Sequence, residues 1–353
     1  MGGPPGAGNL ISGNTGLGVA LSFLGTNLVQ GNLIGTDVSG TRFIPNSTGV
    51  RIFNSQSNTI GGSAPGARNV IAGNLGTGVQ IFGSATTSNA LSRNLIHDNG
   101  RLGIDLEGDG VSPNDLGDGD GGPNLLQNFP VLKSASREAA GSTRVEGTLN
   151  STPLTTFQVE FFSNEACDPS GAGEGSRFLG SMSVTTDLFG NSTFAATNLG
   201  NPGAGRVVAA TATDPNGNTS EFSACMPIGE QFFPLIPCRA VDTRNPAGPL
   251  GGPALAAQSG RTFGLVGACG IPISARSVAV NLTVTQAAAP GYLTIHPPSA
   301  TIPLASSINF SIGKTRSNNA ILRLSMDGAG SVVVENASPD TVQFILDVSG
   351  YFE

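Results

Sequence analysis

The sequence predicts an all-β protein that begins with an elongated repeat structure. A Gly-Val or Gly-Ile step inside a short apolar phrase occurs four times, at Gly18, Gly49, Gly78 and Gly103, with spacings of 31, 29 and 25 residues. A repeat of this length is one supersecondary unit, which must stack on its neighbours to bury its apolar face. The chain also contains 51 glycines and 23 prolines, and helical periodicity never persists for more than a turn or two. Many short strands joined by tight turns account for this composition.

A second phrase, of the Asn-x-Ile or Asn-x-Val type, lies between the Gly-Val strands. It begins at Asn9, Asn27, Asn32, Asn58, Asn69 and Asn94. Inward Val, Ile and Leu would stack from coil to coil, while Gly and Asn take the left-handed corners. Residues 1–129 are therefore predicted to form the coils of a parallel β-helix, and we expect asparagines at equivalent turns to stack as hydrogen-bonded ladders.

These phrases resemble the right-handed parallel β-helix repeats of large bacterial secreted proteins. Within that group, residues 103–109 and 122–132 look like the recurrent closing segment of such a β-helix. The resemblance implies a right-handed coil and gives little information about activity. The first repeat begins almost at Met1 without a capping element, although solenoid ends usually need caps. We therefore expect an N-terminally truncated fragment, with a genuine cytoplasmic start as the alternative.

Two further β domains are predicted after the repeats. Residues 130–228 contain longer alternating strands separated by regular turns, as in an antiparallel sandwich. The segment Ala210–Phe222 is similar to the final strands of bacterial immunoglobulin-like modules. Residues 232–353 open with Pro237–Arg244 and close with Phe344–Phe352, and look like a C-terminal β-rich module of exported bacterial proteins. This module is expected to be a second β-sandwich.

Charge and hydropathy exclude several classes of partner. The net charge is −7 and there is no basic run, which argues against binding to nucleic acid or to an anionic lipid surface. No apolar stretch reaches the roughly 18 residues that a membrane span needs. The N-terminal residues lack the charged and apolar regions of a signal peptide. The low lysine content and the Gly-, Asn-, Thr- and Ser-rich strands are nevertheless typical of a secreted or cell-surface protein.

The four cysteines fall as one pair in each of the last two predicted domains. Cys167 and Cys225 belong to the second domain, and Cys238 and Cys269 to the third. This distribution predicts the disulfides Cys167–Cys225 and Cys238–Cys269 in an oxidising compartment, the alternative being free buried thiols. No Cys-x-x-Cys spacing suggests zinc.

An acidic, glycine-rich stretch follows the fourth repeat. Its candidate oxygen ligands are those of Asp109, Asp115, Asp118, Asp120 and Asn124. Glycines between carboxylates let the backbone fold tightly so that oxygens converge, as a calcium ion with six to eight ligands requires. The spacing does not match an EF-hand. The alternative is a solvated turn in which Asp and Asn cap their own backbone.

A catalytic hypothesis rests on Asp105 and Glu107. Residues i and i+2 of a strand share a face, and their carboxyl groups would lie about 7 Å apart, within the range of an inverting glycosidase pair. His97 and Arg101 are near in sequence and could relay a proton or bind substrate charge. Against this hypothesis, the sequence shows no evident wall of aromatic residues for sugar stacking.

Three further groups are interpreted as structural. His296 lies on a predicted strand. Asp242, Arg244 and Asp347 are expected to form ion pairs that stabilise the third domain. The turn at residues 214–218 could bind calcium, but a plain hairpin turn is the favoured interpretation.

The preferred function is therefore a non-catalytic, adhesin-like protein that binds an extended glycan or cell-wall polymer along the repeat face. A polysaccharide hydrolase or lyase using Asp105 and Glu107 is one alternative. A structural protein that self-associates through the uncapped end of the β-helix is the other. Fold alone does not decide between these classes.

Overall fold

A computed structural model describes residues 8–23, 25–138, 141–203, 205–298 and 301–353. The chain divides into two compact units, one ending at Gly229 and the other beginning at Glu230. The predicted all-β class is confirmed, with short 3-10 turns at Pro123–Leu126 and Ala268–Gly270. The strands of the first unit are β1 Leu10–Ile11, β2 Leu17–Ser22, β3 Leu28–Val29, β4 Leu33–Ile34, β5 Thr48–Phe53, β6 Thr59–Gly61, β7 Val70–Ala72, β8 Val79–Phe82, β9 Ala90–Ser92, β10 Leu95–His97, β11 Ile104–Leu106, β12 Val131–Arg137, β13 Thr143–Asn150, β14 Thr156–Asn164, β15 Arg177–Thr185, β16 Asn191–Leu199, β17 Val207–Thr213 and β18 Met226–Gly229.

The repeat region consists of three parallel sheets with strand orders β1-β4-β7-β10, β2-β5-β8-β11 and β3-β6-β9. Each repeat contributes one strand to a sheet, and the same position of the repeat pairs in register from strand to strand. The four Gly-Val phrases supply β2, β5, β8 and β11 in this way. The arrangement is compatible with the stacked coils that the repeats predict.

The repeated glycine is required by the close approach of neighbouring strands. A Cβ atom built on Gly49 would lie 2.5 Å from the carbonyl oxygen of Gly78, and one on Gly78 would lie 2.6 Å from that of Gly103. On Gly103 a Cβ would instead lie 3.0 Å from the ring of Phe222. A side chain at these positions would push the strands apart. The repeated glycines therefore mark the positions where successive strands stack closely.

Aliphatic side chains from all three sheets fill the space between them. Ile34, Ile52, Ile60, Ile71 and Ile81 are fully buried there, together with further Val, Leu and Ile residues of the repeats. Each unit of the repeat therefore contributes apolar area to one continuous core, which no single repeat could enclose.

Asparagines at equivalent turns form three hydrogen-bonded ladders, as the sequence predicts. In each ladder, the backbone amide or the side-chain Nδ2 of one asparagine donates to Oδ1 of the next, or to a neighbouring carbonyl. The ladders are Asn9-Asn32-Asn69-Asn94, Asn14-Asn46-Asn74-Asn99 and Asn27-Asn58-Asn89-Asn124. Every asparagine-to-asparagine bond donates from one repeat to Oδ1 in the next, whereas several other Nδ2 bonds run back to carbonyls of a preceding repeat. The last repeat therefore presents backbone N–H groups that need acceptors.

Residues 130–228 supply those acceptors and cover the C-terminal end of the stack. The carboxylate of Glu160 accepts from the Arg93 amide, that of Glu174 from the Asp98 and Asn99 amides, and that of Glu221 from the Leu106 and Ser112 amides. Phe162, Ala209 and Phe222 extend the apolar core of the repeats at the same end. The acceptors replace the strand that would otherwise follow, so the edge is not left open.

The strands of residues 130–228 form one seven-stranded sheet in the order β15-β14-β17-β18-β12-β13-β16. The sequence predicts two separate sheets of a sandwich here. The short strand β18 joins them, because it pairs antiparallel with β17 and parallel with β12. One face of the joined sheet lines an apolar core around Phe157, Phe161 and Phe194, because these positions alternate with outward residues along their strands.

The second unit contains two antiparallel four-stranded sheets around one apolar core. The strands are β19 Phe232–Asp242, β20 Ser259–Gly264, β21 Ser277–Thr285, β22 Gly291–His296, β23 Ile308–Phe310, β24 Arg316–Arg323, β25 Ser331–Asn336 and β26 Gln343–Phe352. The strand orders are β19-β26-β21-β24 in one sheet and β20-β25-β22-β23 in the other. No helix among the described residues has the length and apolarity needed to cross a membrane.

Candidate functional site

The outward face of the β2-β5-β8-β11 sheet carries a mixture of polar and aromatic side chains. Side chains alternate along each strand, so the residues between the buried Val, Ile and Leu positions point outward. One outward row runs Ala20, Arg51, Gln80, Asp105 in register across the four strands. A parallel row contains Ser22, Phe53 and Phe82. We call the surface formed by these seven residues and Phe23 the outward face.

The outward face carries an aromatic stripe that the sequence reasoning missed. The rings of Phe53 and Phe82 stack with centroids 4.5 Å apart, and Phe23 packs edge-on against Phe53 at 5.8 Å. Phe23 is 73% exposed. The sequence indicates no wall of aromatic residues, whereas the structure brings these three rings together on one face. The signal was present in the sequence, because Phe53 and Phe82 each lie four residues after the repeated glycine.

The guanidinium of Arg51 lies over the Phe82 ring of this stripe. Its guanidinium carbon is 4.3 Å from the centroid of the Phe82 ring, a cation–π distance. Its Nε atom is buried and has no hydrogen-bond acceptor within the described part of the chain. Gln80 in the next strand places an amide beside it. The outward face thus combines an apolar stripe, a cation and hydrogen-bonding groups across three repeats.

Asp105 closes the C-terminal end of the outward face. It is 3% exposed, and its Oδ1 accepts the Gly108 amide at 3.0 Å while Oδ2 lies 3.5 Å from the Thr77 hydroxyl. Burial raises the pKa of Asp105. Asp105, Arg101 and Asp109 line a cavity of about 550 Å³, so one predicted catalytic carboxylate and the predicted basic residue do share a site.

Glu107 does not continue the strand that the catalytic hypothesis assumes. Strand β11 ends at Leu106, and Glu107 is exposed with a φ of 76°. A left-handed residue turns the chain, so the rule that residues i and i+2 share a face no longer applies to this pair. The charge of Glu107 instead contributes to raising the pKa of Asp120.

His97 lies at a different cavity, of about 660 Å³. Its Nδ1 is 2.6 Å from a carboxylate oxygen of Asp98, and Glu174 lines the same cavity. Burial raises the pKa of Glu174 to about 7, with Asp168 and Asp98 adding to the effect. The structure thus places His97 apart from Asp105 and Arg101 in separate cavities.

Three of the predicted calcium ligands converge. One ligand atom from each of Asp115, Asp118 and Asp120 lies within 4.8 Å of the other two. Oδ1 of Asp115 is buried and has no donor within the described residues. Burial, followed by the charges of neighbouring acidic residues, raises the pKa of both Asp118 and Asp120. Three converging carboxylates, one of which has an oxygen without a donor among the described residues, suit a hard cation.

The other two predicted ligands are engaged elsewhere. Asp109 lines the cavity beside Asp105. The amide oxygen of Asn124 accepts the Asn89 backbone amide at 3.0 Å, and its Nδ2 donates to the carbonyls of Asn89 and Thr219. Asn124 is therefore the last rung of an asparagine ladder. Sequence spacing alone did not separate a ladder asparagine from a metal ligand.

Both disulfides are present with the predicted partners, Cys167–Cys225 and Cys238–Cys269. In the second unit, Arg244 makes a bidentate pair with the buried Asp242, and Arg239 makes one with Asp347. The bonds from Arg244 lower the pKa of Asp242 to about 2. In the turn at residues 214–218, an oxygen of Asp214 accepts the amides of Asn216 and Asn218. His296 is buried, with Nδ1 2.8 Å from the Pro297 carbonyl.

The chain is similar to one solved structure at low identity. That structure is SGBP-B of the mixed-linkage glucan utilization locus of Bacteroides ovatus, in complex with a mixed-linkage heptasaccharide. The identity is 14%, the TM-score is 0.17, and the similarity covers 61% of this chain and 51% of that chain. No protein-family model and no curated protein matches the sequence.

Proposed function

We propose that this chain is a secreted or cell-surface protein that binds an extended glycan on the outward face without cleaving it. The organisation proposed with it is a right-handed parallel β-helix over residues 1–129, an immunoglobulin-like domain over 130–228 and a C-terminal β-sandwich over 232–353. Two disulfides and no membrane-spanning helix among the described residues are compatible with that location.

One observation carries the proposal. The outward face presents an aromatic stripe, exposed at Phe23 and half-buried at Phe53 and Phe82, beside a row that includes the hydrogen-bonding side chains of Arg51 and Gln80. Aromatic surface takes up the C–H face of a sugar ring, and amide and guanidinium groups bind its hydroxyls. Because strands in a sheet lie about 4.8 Å apart, the stripe extends along the stack and fits a chain-like ligand.

The test is binding to a glycan array by the full chain and by Phe23→Ala. Phe23 is 73% exposed, so its removal costs little stability, and Phe189→Ala is a matched control because Phe189 is 78% exposed on the β15–β16 turn. We expect Phe23→Ala to weaken binding to the glycans that the wild type selects by several-fold, whereas Phe189→Ala leaves it unchanged. Absence of binding, or equal loss in both variants, contradicts the proposal.

A polysaccharide hydrolase or lyase remains the competing function because Asp105 has a raised pKa and lines a cavity with Arg101. Incubation with the glycans that bind decides between the two. Unchanged polymer length supports the binding function, whereas depolymerisation that Asp105→Asn abolishes establishes the enzyme.

Self-association is the third candidate. Residues 130–228 cover the C-terminal edge of the repeats, so filaments would have to form through the edge strands β1, β2 and β3. Negative-stain microscopy of the purified chain would show such filaments.

A calcium ion held by Asp115, Asp118 and Asp120 is part of the proposal. A bound ion stabilises the folded state by mass action, so calcium should raise the melting temperature and a chelator should lower it. We expect Asp120→Asn to reduce this response, because Asp120 is exposed and contributes little else, and Asp109→Asn to retain it. A melting temperature that does not respond to calcium or chelator contradicts the site.

A further inference from the structure

Arg51 is one of several arginines that lie over a phenylalanine ring, as Arg68 and Arg93 do over Phe178. It differs from them in its buried Nε atom, which has no acceptor among the described residues. Arg144, Arg239 and Arg244 each make an ion pair with a carboxylate. Arg51 makes none with the described residues, although the chain carries a net charge of −7. Its neighbours in the same outward row are the uncharged Ala20 and Gln80. A guanidinium with an unsatisfied buried Nε and no carboxylate partner calls for an explanation.

The guanidinium of Arg51 is also held in place before any ligand arrives. It rests on the Phe82 ring, which is itself stacked on Phe53. An arginine normally loses rotamer entropy when it binds, and fixing it against an aromatic ring removes part of that cost. The planar fork of N–H donors matches the two oxygens of a carboxylate better than it matches isolated hydroxyls.

We propose that Arg51 makes the outward face specific for an acidic glycan, in which a uronate carboxylate pairs with Arg51 while its sugar ring packs on the phenylalanine stripe. This inference rests on the proposed glycan-binding function. A single cation on the outward face pairs with a single carboxylate. The acidic groups at the C-terminal end, Asp105 and the exposed Glu107, disfavour a second uronate next to the first. The ligand class is therefore a polysaccharide in which neutral sugars separate the uronates.

The experiment compares two forms of one probe, a hexasaccharide of alternating glucuronate and N-acetylglucosamine, as the free acid and as its methyl ester. Binding to the full chain is measured by calorimetry in buffer containing a chelator, which removes any contribution from the Asp115 cluster. We expect the free acid to bind at least about tenfold more tightly than the ester, because a charge-assisted bidentate pair is lost in the ester. The preference should shrink as ionic strength rises.

Arg51→Gln should reduce the acid-to-ester ratio to about one, because the acid then loses its charge-assisted pair. Arg51→Lys should recover only part of the ratio, because an ammonium keeps the charge and loses the fork. The matched control is Arg177→Gln, which removes one positive charge from an exposed position on β15. This control separates local pairing from a change in net charge, and it should keep the wild-type ratio.

Several results overturn the inference. Wild-type protein that binds acid and ester equally retains the glycan-binding function and loses the carboxylate specificity. If the acid-to-ester affinity ratio is unchanged in Arg51→Gln, or falls equally in Arg177→Gln, Arg51 does not bind the carboxylate. Tighter binding of a sugar phosphate polymer than of the uronate probe identifies a different anion. If neither form binds and no glycan on the array does, the proposed function itself has failed. The wild-type comparison and its salt dependence decide the question even if Arg51→Gln does not fold.

Discussion

Glu221 should make the first unit less stable as pH rises. Its side chain is buried, with the residue 2% exposed, and its two oxygens accept the amides of Leu106 and Ser112 at 2.8 and 3.0 Å. Burial raises the pKa of Glu221 to about 8, and the charges of Asp105 and Asp109 add to the effect. The residue therefore closes the edge of β11 as a carboxyl group that burial keeps mostly protonated at neutral pH, and its ionisation at higher pH is unfavourable.

The direction of the change in stability with pH follows from proton binding. Between its ordinary pKa of 4.5 and the folded value of about 8, the folded state holds a proton that the unfolded state has released. The contribution of Glu221 to the stability of the first unit is therefore fully present below pH 4.5 and is lost as pH rises through this window. At 1.36 kcal/mol per pKa unit, a shift of 3.5 units sets an upper bound of about 5 kcal/mol on the loss. Glu174, with a pKa of about 7, should add a loss of up to about 3 kcal/mol by the same mechanism.

Urea unfolding followed by far-ultraviolet circular dichroism from pH 5 to pH 8 measures the effect. In Glu221→Gln the amide oxygen still accepts an N–H, and nothing titrates. We expect the variant to be more stable than the wild type at pH 8 and to have a flatter pH profile. Glu165→Gln, at an exposed position, is the control and should follow the wild type. A wild-type stability that is constant or rises over this range, with Glu221→Gln running parallel to it, refutes the reasoning.

Three further predictions concern the ladders, the second unit and its disulfide. Asn74→Ala removes the acceptor of the buried Asn46 amides and should lower the free energy of unfolding by about 3 kcal/mol in urea titrations, whereas the exposed Asn216→Ala should change it by less than about 0.5 kcal/mol. Asp242→Asn should destabilise the second unit at neutral pH. Since Arg244 holds the Asp242 pKa near 2, the wild type should lose this stabilisation between pH 4 and pH 2, and the variant's acid denaturation profile should lack that step. Replacing Cys238 and Cys269 together by Ser opens a loop of 31 residues and should lower the free energy of unfolding by about 4 kcal/mol, measured by reversible denaturant unfolding. A reducing agent should cause no further loss at these two positions, because the variant has no disulfide there.

The sequence by itself determined the all-β class, the stacking of the repeats and the asparagine ladders. These features depend on local periodicity. Gly18, Gly49 and Gly78 recur because a Cβ there would meet the carbonyl oxygen of the next strand's glycine. The asparagines recur for the same reason, since each ladder contact joins equivalent positions. The cysteine pairing also followed from one pair in each domain.

The candidate site was predicted only in part, because its members depend on local turns and on distant segments. Asp115, Asp118 and Asp120 converge as their spacing suggests, whereas Asn124 was assigned to the same set and is a ladder rung. Glu107 was placed beside Asp105 by strand alternation, which a single left-handed residue cancels.

Only the tertiary structure decided how the repeats end and which face is available to a ligand. Glu160, Glu174 and Glu221 lie 67, 76 and 115 residues from the amides they accept, so no local pattern marks them as edge-closing groups. The outward face likewise exists only when strands from successive repeats lie in register and bring Arg51 over Phe82. Periodic stacking can be predicted from sequence because it repeats a short-range contact. Contacts made once, between segments far apart in the chain, can be assigned only after the fold brings them together.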